Sequence, residues 1–379
     1  MKSRDIVVGY THSGYPSQRN FLSLLQPTIR YKKCIDMFKL PEHLVYRLAK
    51  SSDPLLLNSF QDFGLNRSVD CFHFFNGVSF TRKPWVSTFE TYLPRLGRHE
   101  HRYARPYVDR IASSSCKTLI AISQCTADIQ RRWLQISFPD QAETICAKVQ
   151  VIHPPQAIEP RLEICSAFAP PPLHAVMVGH QFFSKGGGEI LKVFDRLLRD
   201  KQDISLTIVS SLRTDNYATQ TTQQHVEAAR RIIARWPDNI TYYPRLPNSE
   251  VKRLLRDANL ALLLSYAETY GYFVLEAQAA GLPVVTTNIR AFSEINSPDC
   301  GWVVNLEIDE YRNAELSGDK LLYAKERVET DLMAILEEIL ANPSTVLEKG
   351  RKALDRIVGM HDPAHAAKQL RSIYEAALG

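Results

Sequence analysis

The sequence has no long apolar run. None of its 379 residues falls in a stretch approaching the roughly 18 continuous apolar residues that cross a bilayer. The opening Met1-Lys2-Ser3-Arg4-Asp5 leads straight into a strand-like run without the apolar core of a signal peptide, which argues against secretion and for a cytoplasmic location. The seven cysteines never form a C-x-x-C pair, which speaks against a disulfide framework, a zinc site or a dithiol redox motif. Short-period repeats and low-complexity tracts are absent, as are a Walker A loop and a G-x-G-x-x-G fingerprint. With 45% apolar and 23% charged residues, the chain is neither disordered, collagenous nor a coiled coil.

What is present is alternation. Apolar strand-like runs at 6–10, 69–74, 85–89, 117–123 and 149–152 are interleaved with helical patterns. Residues 153–172 then carry six of the 21 prolines, which removes amide donors and fixes φ, so the stretch reads as an interdomain linker. Alternation resumes afterwards. Strands are expected at 175–178, 205–209, 240–243, 260–264 and 283–286. Helices are expected at 188–199, 222–236, 249–257, 271–280, 319–340 and 364–378. Strands alternating with helices give βαβ units and a parallel sheet. The expected class is α/β, with two doubly wound Rossmann-like domains facing each other across a cleft. The length suits two domains at about 150 residues each. In such sheets ligands sit at the carboxyl ends of the strands.

The most informative stretch follows the apolar run 260–264. Glu268 stands just past the strand, Gly271 opens a helix, and Glu276 lies on that helix's second turn. The first turn offers unpaired N–H groups and a positive dipole end, a natural seat for a diphosphate. Helical side chains lean toward the N-terminus, so the Glu276 carboxylate can reach back to the same mouth. Carboxylates accept hydrogen bonds from the vicinal hydroxyls of ribose or a sugar ring. A second stretch, Gly179-His180-Gln181-Phe182-Phe183-Ser184-Lys185-Gly186-Gly187-Gly188, places a lysine beside three glycines at a helix start, where it can neutralise a phosphate.

These residues resemble the signature of retaining glycosyltransferases of the GT-B fold, in particular glycosyltransferase family 4. The family pattern E-G-F-G-x4-E-A-x-A-x-G-x-P-V is matched at Glu268, Gly271, Glu276, Gly281 and Pro283, with Thr269 and Tyr270 replacing the usual glycine and phenylalanine. Ser293-Glu294-Ile295 and Asp299-Cys300-Gly301-Trp302 fit later family segments. The resemblance implies that Glu268 contacts the donor sugar, that Glu276 holds the ribose and that amides near Gly271 and Tyr272 hold the diphosphate, with Tyr270 beside them. Lys185 takes the lysine position of the family's G-R-x4-K-G clamp, and His180 stands where arginine is usual. Either the diphosphate protonates His180, or another cation such as Arg213 or Arg245 takes over. Glu268, Lys185 and His180 are thus the expected catalytic groups. Gly14, Tyr270, Gly271, Tyr272, Glu276 and Arg245 complete the donor site.

The front half carries the positive charge. Residues 1–160 hold 21 Lys and Arg against 13 Asp and Glu, and the remainder 25 against 28. This balance points to an anionic partner. Gly14 lies in the loop after the first strand and resembles the family's glycine-bearing first loop. His73 follows the second strand-like run, as in the family's D-x-x-H segment. Phe89-Glu90 replaces the family's His-Asp pair, leaving Glu90 as a candidate carboxylate on the acceptor side. Ser123 reads as a helix N-cap. Arg95, Arg98, Arg102 and Arg105 recur three or four apart and would share one helix face. That face is either simply solvated or fit for an anionic or lipid-linked acceptor or for peripheral contact with a membrane. His73, Glu90, Arg98 and Arg102 are the candidate acceptor residues.

The resemblance implies the following organisation. Residues 1–170 form an acceptor domain and 171–355 a nucleotide-sugar domain, and a helix in 356–379 returns to the first. The expected function is retaining sugar transfer from a nucleotide-diphosphate-sugar to a hydroxyl of a glycan, glycolipid or small molecule. No cofactor and no metal are expected, and no nucleic-acid partner. The alternative is a nucleotide-sugar-binding protein with weakened catalysis.

Overall fold

The computed structural model describes residues 5–24, 26–49, 53–158 and 173–379. The chain divides into two compact domains. Met1–Pro155 and His361–Gly379 form the first, and Gln156–Met360 the second. The first division falls inside the proline-rich stretch, after Pro155, rather than at its end. Residues 153–158 form neither helix nor strand, and the rest of that stretch lies outside the described residues.

The strands, in chain order, are β1 (Ile6–Tyr10), β2 (Ile29–Lys33), β3 (Ser59–Phe60), β4 (Cys71–Phe75), β5 (Val78–Ser79), β6 (Trp85–Phe89), β7 (Cys116–Ala121) and β8 (Val149–Val151). In the second domain they are β9 (Leu173–Gln181), β10 (Ile204–Ser211), β11 (Ile240–Tyr243), β12 (Leu260–Leu263), β13 (Val284–Thr287) and β14 (Gly301–Val304). The first domain holds a six-stranded sheet in the order β2-β1-β4-β6-β7-β8, with β3 and β5 as a short separate ladder. The second holds β11-β10-β9-β12-β13-β14. Every pairing between these strands is parallel. The central strands are buried on both faces, as Leu260–Leu263 and Val284–Thr287 show, which is what an apolar rather than an alternating run requires.

Each sheet reverses direction beside its first strand, between β1 and β4 in one and between β9 and β12 in the other. At such a switch point the connections leave toward opposite faces and open a crevice at the carboxyl ends.

The last helix, Pro363–Leu378, packs on the first sheet. Asp362 caps it by accepting from the amides of Ala364 and His365 at 3.1 and 3.0 Å, and Pro363 starts it. Ala366, Leu370, Ile373 and Tyr374 recur at helical spacing and join Val8, Phe21, Cys71, Val86 and Ile120 in one apolar cluster. His361, at the point of return, donates from Nδ1 to the Pro154 carbonyl at 2.8 Å.

Candidate active site

The loops that leave β9 and β12 flank the switch point of the second sheet. After β9 the chain makes a 3-10 turn, Phe183–Lys185, and Gly186 turns it into the helix Gly187–Arg199 with φ of +77°. A Cβ at Gly186 would lie 2.5 Å from the Leu264 carbonyl oxygen, so only glycine lets the two loops approach this closely. The amide of Tyr266 donates to the Ser184 carbonyl at 2.9 Å and ties the loops together. The Lys185 stem lies over Gly179, where a Cβ would come within 2.9 Å of its Cγ.

Lys185 thus reaches across to the β12 loop. Its Nζ donates to Glu268 Oε2 at 2.8 Å and to the Ala267 carbonyl at 2.9 Å. Glu268 Oε1 accepts from the Thr269 amide at 3.0 Å. Neither side chain is sealed off, with 15% and 21% exposure respectively. Gly271 follows with φ of +95°, and a Cβ there would collide with the Phe292 ring at 2.4 Å. It opens the helix Tyr272–Ala279 without any side-chain cap. Glu276 stands half-buried on that helix.

His180 is exposed beside a cavity of about 720 Å³ at the carboxyl ends of β9, β10 and β11. Arg213 and Arg245 line the same cavity and are exposed. The structure therefore gathers around one cavity all three residues named for the role of the usual arginine at position 180. Tyr270 needs correction: only 1% of it is exposed, so its ring belongs to the interior and not to the mouth. Tyr272, half-buried, lies with its ring centroid 5.5 Å from that of Tyr270.

In the first domain, the loops after β1 and β4 enclose a cavity of about 490 Å³ lined by His12, Gly14, Asn58, Asn76 and Arg95 among others. Gly14 lies in the loop after β1, in the wall of this cavity. Glu90 follows β6 and accepts from Asn76 Nδ2 at 3.2 Å and from Arg95 Nη1, so it holds two residues of the cavity wall. Burial, aided by the nearby Lys39, lowers the pKa of His12 from its ordinary value. His12, Asn76 and Arg95 were not among the candidate acceptor residues. An Asn-Gly pair directly after a strand was the one available signal for Asn76.

His73 also needs correction. It lies in the middle of β4, not after it, and is fully buried. Its Nδ1 is 2.6 Å from the Tyr374 hydroxyl, its Nε2 is 2.8 Å from Thr88 Oγ1, and its ring stacks on Phe21 at 3.9 Å. Burial lowers its pKa to about 3. It anchors the C-terminal helix to the sheet and has no free nitrogen for a ligand.

The arginine-rich segment does form a helix, Glu100–Ala112, with Pro106 inside it and a 3-10 turn, Gly97–His99, before it. Arg95 pairs with Glu90. Arg105 pairs with Asp109 at 3.0 Å and with Asp140 at 2.7 Å. Arg102 is exposed, 5.3 Å from the Tyr103 ring centroid. The Arg98 side chain lies outside the described residues. The face is therefore less positive than its sequence suggests. Ser123 caps the helix Gln124–Ser137, accepting from the Thr126 amide at 2.9 Å.

Among the described residues, no group of three or more His, Cys, Asp or Glu side chains is arranged to hold a metal ion. No helix among them is long and apolar enough to cross a membrane.

Residues 166–317, which include both loops of this site, match the family model for glycosyl transferases group 1. The chain carries a glycosyl transferases group 1 domain. The architecture agrees, because two parallel-sheet α/β domains of this kind make the GT-B fold. Sucrose-phosphate synthase from Thermosynechococcus elongatus superposes with a TM-score of 0.60 at 12% identity, over 98% of each chain. Anabaena Alr3699/HepE in complex with UDP-glucose gives 0.59 at 13% identity, over 98% of this chain and 99% of that one. By sequence, glycogen synthase of Mycobacterium tuberculosis (strain H37Rv) is 25% identical over 207 residues, 54% of this chain and 43% of that protein. D-inositol 3-phosphate glycosyltransferase of Paenarthrobacter aurescens is 32% identical over 115 residues, 30% of this chain and 25% of that protein. The matching segments thus span less than half the length of these relatives. The glycosyl transferases group 1 match lies wholly within the second domain, and the residues around His12 and Asn76 fall outside it.

Proposed function

We propose that the protein is a retaining glycosyltransferase that moves a sugar from a nucleotide-diphosphate-sugar to an acceptor hydroxyl without a resident metal or cofactor. The observation that carries this reading is the meeting of Lys185 and Glu268 across the switch point, beside the open end of the helix Tyr272–Ala279. A lysine and uncapped helical amides are suited to a diphosphate. The carboxylates of Glu268 and Glu276 are suited to sugar and ribose hydroxyls on either side of it. The UDP-glucose complex of Anabaena Alr3699/HepE, a protein of the same fold, supports a nucleotide-sugar donor.

In the proposed reaction the bond from the anomeric carbon to the diphosphate oxygen breaks and a bond to the acceptor oxygen forms on the same face. The acceptor proton passes to the departing phosphate oxygen. Lys185 and the amides near Gly271 and Tyr272 stabilise the charge that grows on the diphosphate, which is where a preorganised site contributes most. The cation that completes the clamp comes from His180, Arg213 or Arg245. The cavity of the first domain, with Gly14, Asn76 and Arg95, receives the acceptor, and Glu90 positions Asn76 and Arg95.

A thermal-shift panel of UDP-, GDP-, ADP- and dTDP-sugars, followed by product analysis, tests the reading. A ligand at about 100 times its dissociation constant adds about 2.7 kcal/mol of stability. A shift with one donor together with transfer or slow donor hydrolysis supports it. A shift with no turnover under any acceptor leaves a nucleotide-sugar-binding protein, a reading that histidine at position 180 favours. No shift with any nucleotide sugar overturns both.

A further inference from the structure

The first domain presents an apolar surface that the proposed reaction does not use. Two short loops, 34–38 and 61–66, are stitched into one double loop. Ile35 and Asn66 exchange hydrogen bonds at 3.1 and 2.9 Å, and the Met37 amide donates to the Gln61 carbonyl at 2.8 Å. From it project Ile35, Phe63 and Leu65, exposed by 57%, 77% and 56%. The helix Lys39–Ala49 follows directly and exposes Leu44 and Leu48, four apart and so on one side.

Phe63 adopts φ of +46°, a backbone region that bulky residues avoid. The loop is held there on purpose-built partners. The Asp62 carboxylate accepts from the amides of Gly64 and Asn66 and from Asn66 Nδ2, at 2.9, 3.2 and 3.0 Å. Gln61 Oε1 accepts from the amides of Asp62 and Phe63. A strained backbone that presents a large ring to solvent calls for a partner that receives the ring.

The charge around the patch names that partner. Every acidic residue within 32–48 and 61–67 is buried: Asp36 is 8% exposed, Glu42 7% and Asp62 2%. Lys32, Lys33, Arg47 and Arg67 of the same segments are exposed. The exposed charge here is wholly positive, and apolar side chains lie beside it. The arginine helix Glu100–Ala112 is less suited, since Arg105 is paired with acids and, among the described residues, Tyr103 is its one large exposed hydrophobic side chain.

We propose that the double loop and the helix Lys39–Ala49 dock on an anionic lipid bilayer, with Phe63 and Leu65 entering the interface and Lys32, Lys33, Arg47 and Arg67 meeting headgroup phosphates. Neither an apolar wedge nor a basic patch alone holds a protein firmly on a bilayer, and the two together do.

The full chain is to be floated with vesicles of phosphatidylcholine alone and of phosphatidylcholine with phosphatidylglycerol. The wild type partitions onto the anionic vesicles, less so at high salt, and not onto the neutral ones. The double variant Phe63→Asn, Leu65→Ser partitions about tenfold less. Asparagine tolerates positive φ, so the variant's melting temperature stays level or rises and lost binding is not lost folding. Equal partition of variant and wild type, or none onto anionic vesicles, overturns the proposal. A dimer in light scattering that the double variant dissolves also overturns it, in favour of a second copy on this patch. Nucleotide-sugar thermal shifts run in parallel are unchanged by the double variant, so this inference and the reading of the active site stand or fall separately.

Discussion

Lys185 Nζ and Glu268 Oε2 lie 2.8 Å apart, although 83 residues separate them in the chain. The ion pair bridges the loops of two strands that adjoin at the switch point. It holds the lysine extended over the mouth, and the carboxylate neutralises it. On the proposed reading, an arriving diphosphate competes with Glu268 for this cation, and the released carboxylate then faces the hydroxyls of the sugar.

That competition separates two variants. Lys185→Ala lowers both nucleotide affinity and turnover, the latter by about 10²–10³-fold, as expected for one lost anion-stabilising donor. Glu268→Gln removes the competing charge but keeps the shape. Free nucleoside diphosphate then binds as tightly as before or more tightly, while sugar transfer falls. Calorimetric titration with the nucleotide alone, beside turnover with the donor, reads the split. Parallel losses of both in Glu268→Gln would mean that the pair merely holds the loops.

The glycine at position 186 is required twice over, by its positive φ and by the Leu264 carbonyl 2.5 Å from where a Cβ would be. Gly318 has φ of +56° with nothing within 4 Å. Gly318→Ala therefore costs backbone strain only, about 1 kcal/mol. Gly186→Ala costs more, because β12 must shift, and it weakens nucleotide binding as well. Urea unfolding of both variants gives the comparison, and equal midpoints would contradict it.

Tyr374 joins the C-terminal helix to the sheet through His73 Nδ1 at 2.6 Å, and its hydroxyl lies 3.3 Å from that of Tyr31. Tyr374→Phe strands a buried ring nitrogen. The expected loss is about 1–3 kcal/mol, seen as a lower melting temperature with the donor site unaffected. Measured stability equal to wild type would show that the hydroxyl is dispensable.

The same histidine gives a pH dependence of known sign. Its pKa is about 3 in the fold and about 6.5 when unfolded, so between these values the unfolded chain binds a proton that the folded one refuses. The stability it confers is complete above about pH 6.5 and is lost as pH falls toward 3, by at most about 1.4 kcal/mol per pH unit. Carboxylates also titrate in this range. The contribution of His73 is the difference between wild type and His73→Gln, whose stability declines less steeply on acidification. Identical slopes would refute the assignment.

Much of the fold was legible because strong local signals coincide with it. Apolar runs became central strands, and Gly271 ended a turn and opened a helix as its position suggests. Other elements were not legible, and three of them show why. The strand Ile29–Lys33 is an edge strand of sequence Ile-Arg-Tyr-Lys-Lys, too polar to read as one. The strand Gly301–Val304 reads locally as a turn, because a glycine begins it. The helix Ser344–Met360 contains Gly350, unfavourable for a helix in isolation, yet a Cβ there would lie 2.3 Å from the Gly281 carbonyl. Its glycine serves the packing of helix on turn, which no local window contains.

The residues alone determined the α/β class, the placing of Lys185, Glu268, Gly271 and Glu276 just after strands or at a helix start, and the excess of positive charge in the front half. Each follows from spacing, propensity or composition within a few turns of chain. Tertiary structure decided that β12 pairs with β9 rather than with β11, which brings Lys185 to Glu268. It also sealed His73 under a helix from the far end of the chain, and buried Asp36, Glu42 and Asp62 while leaving their basic neighbours in solvent. Strand order and burial arise from hydrogen bonds and packing between segments distant in sequence, and no local pattern encodes which distant partner wins.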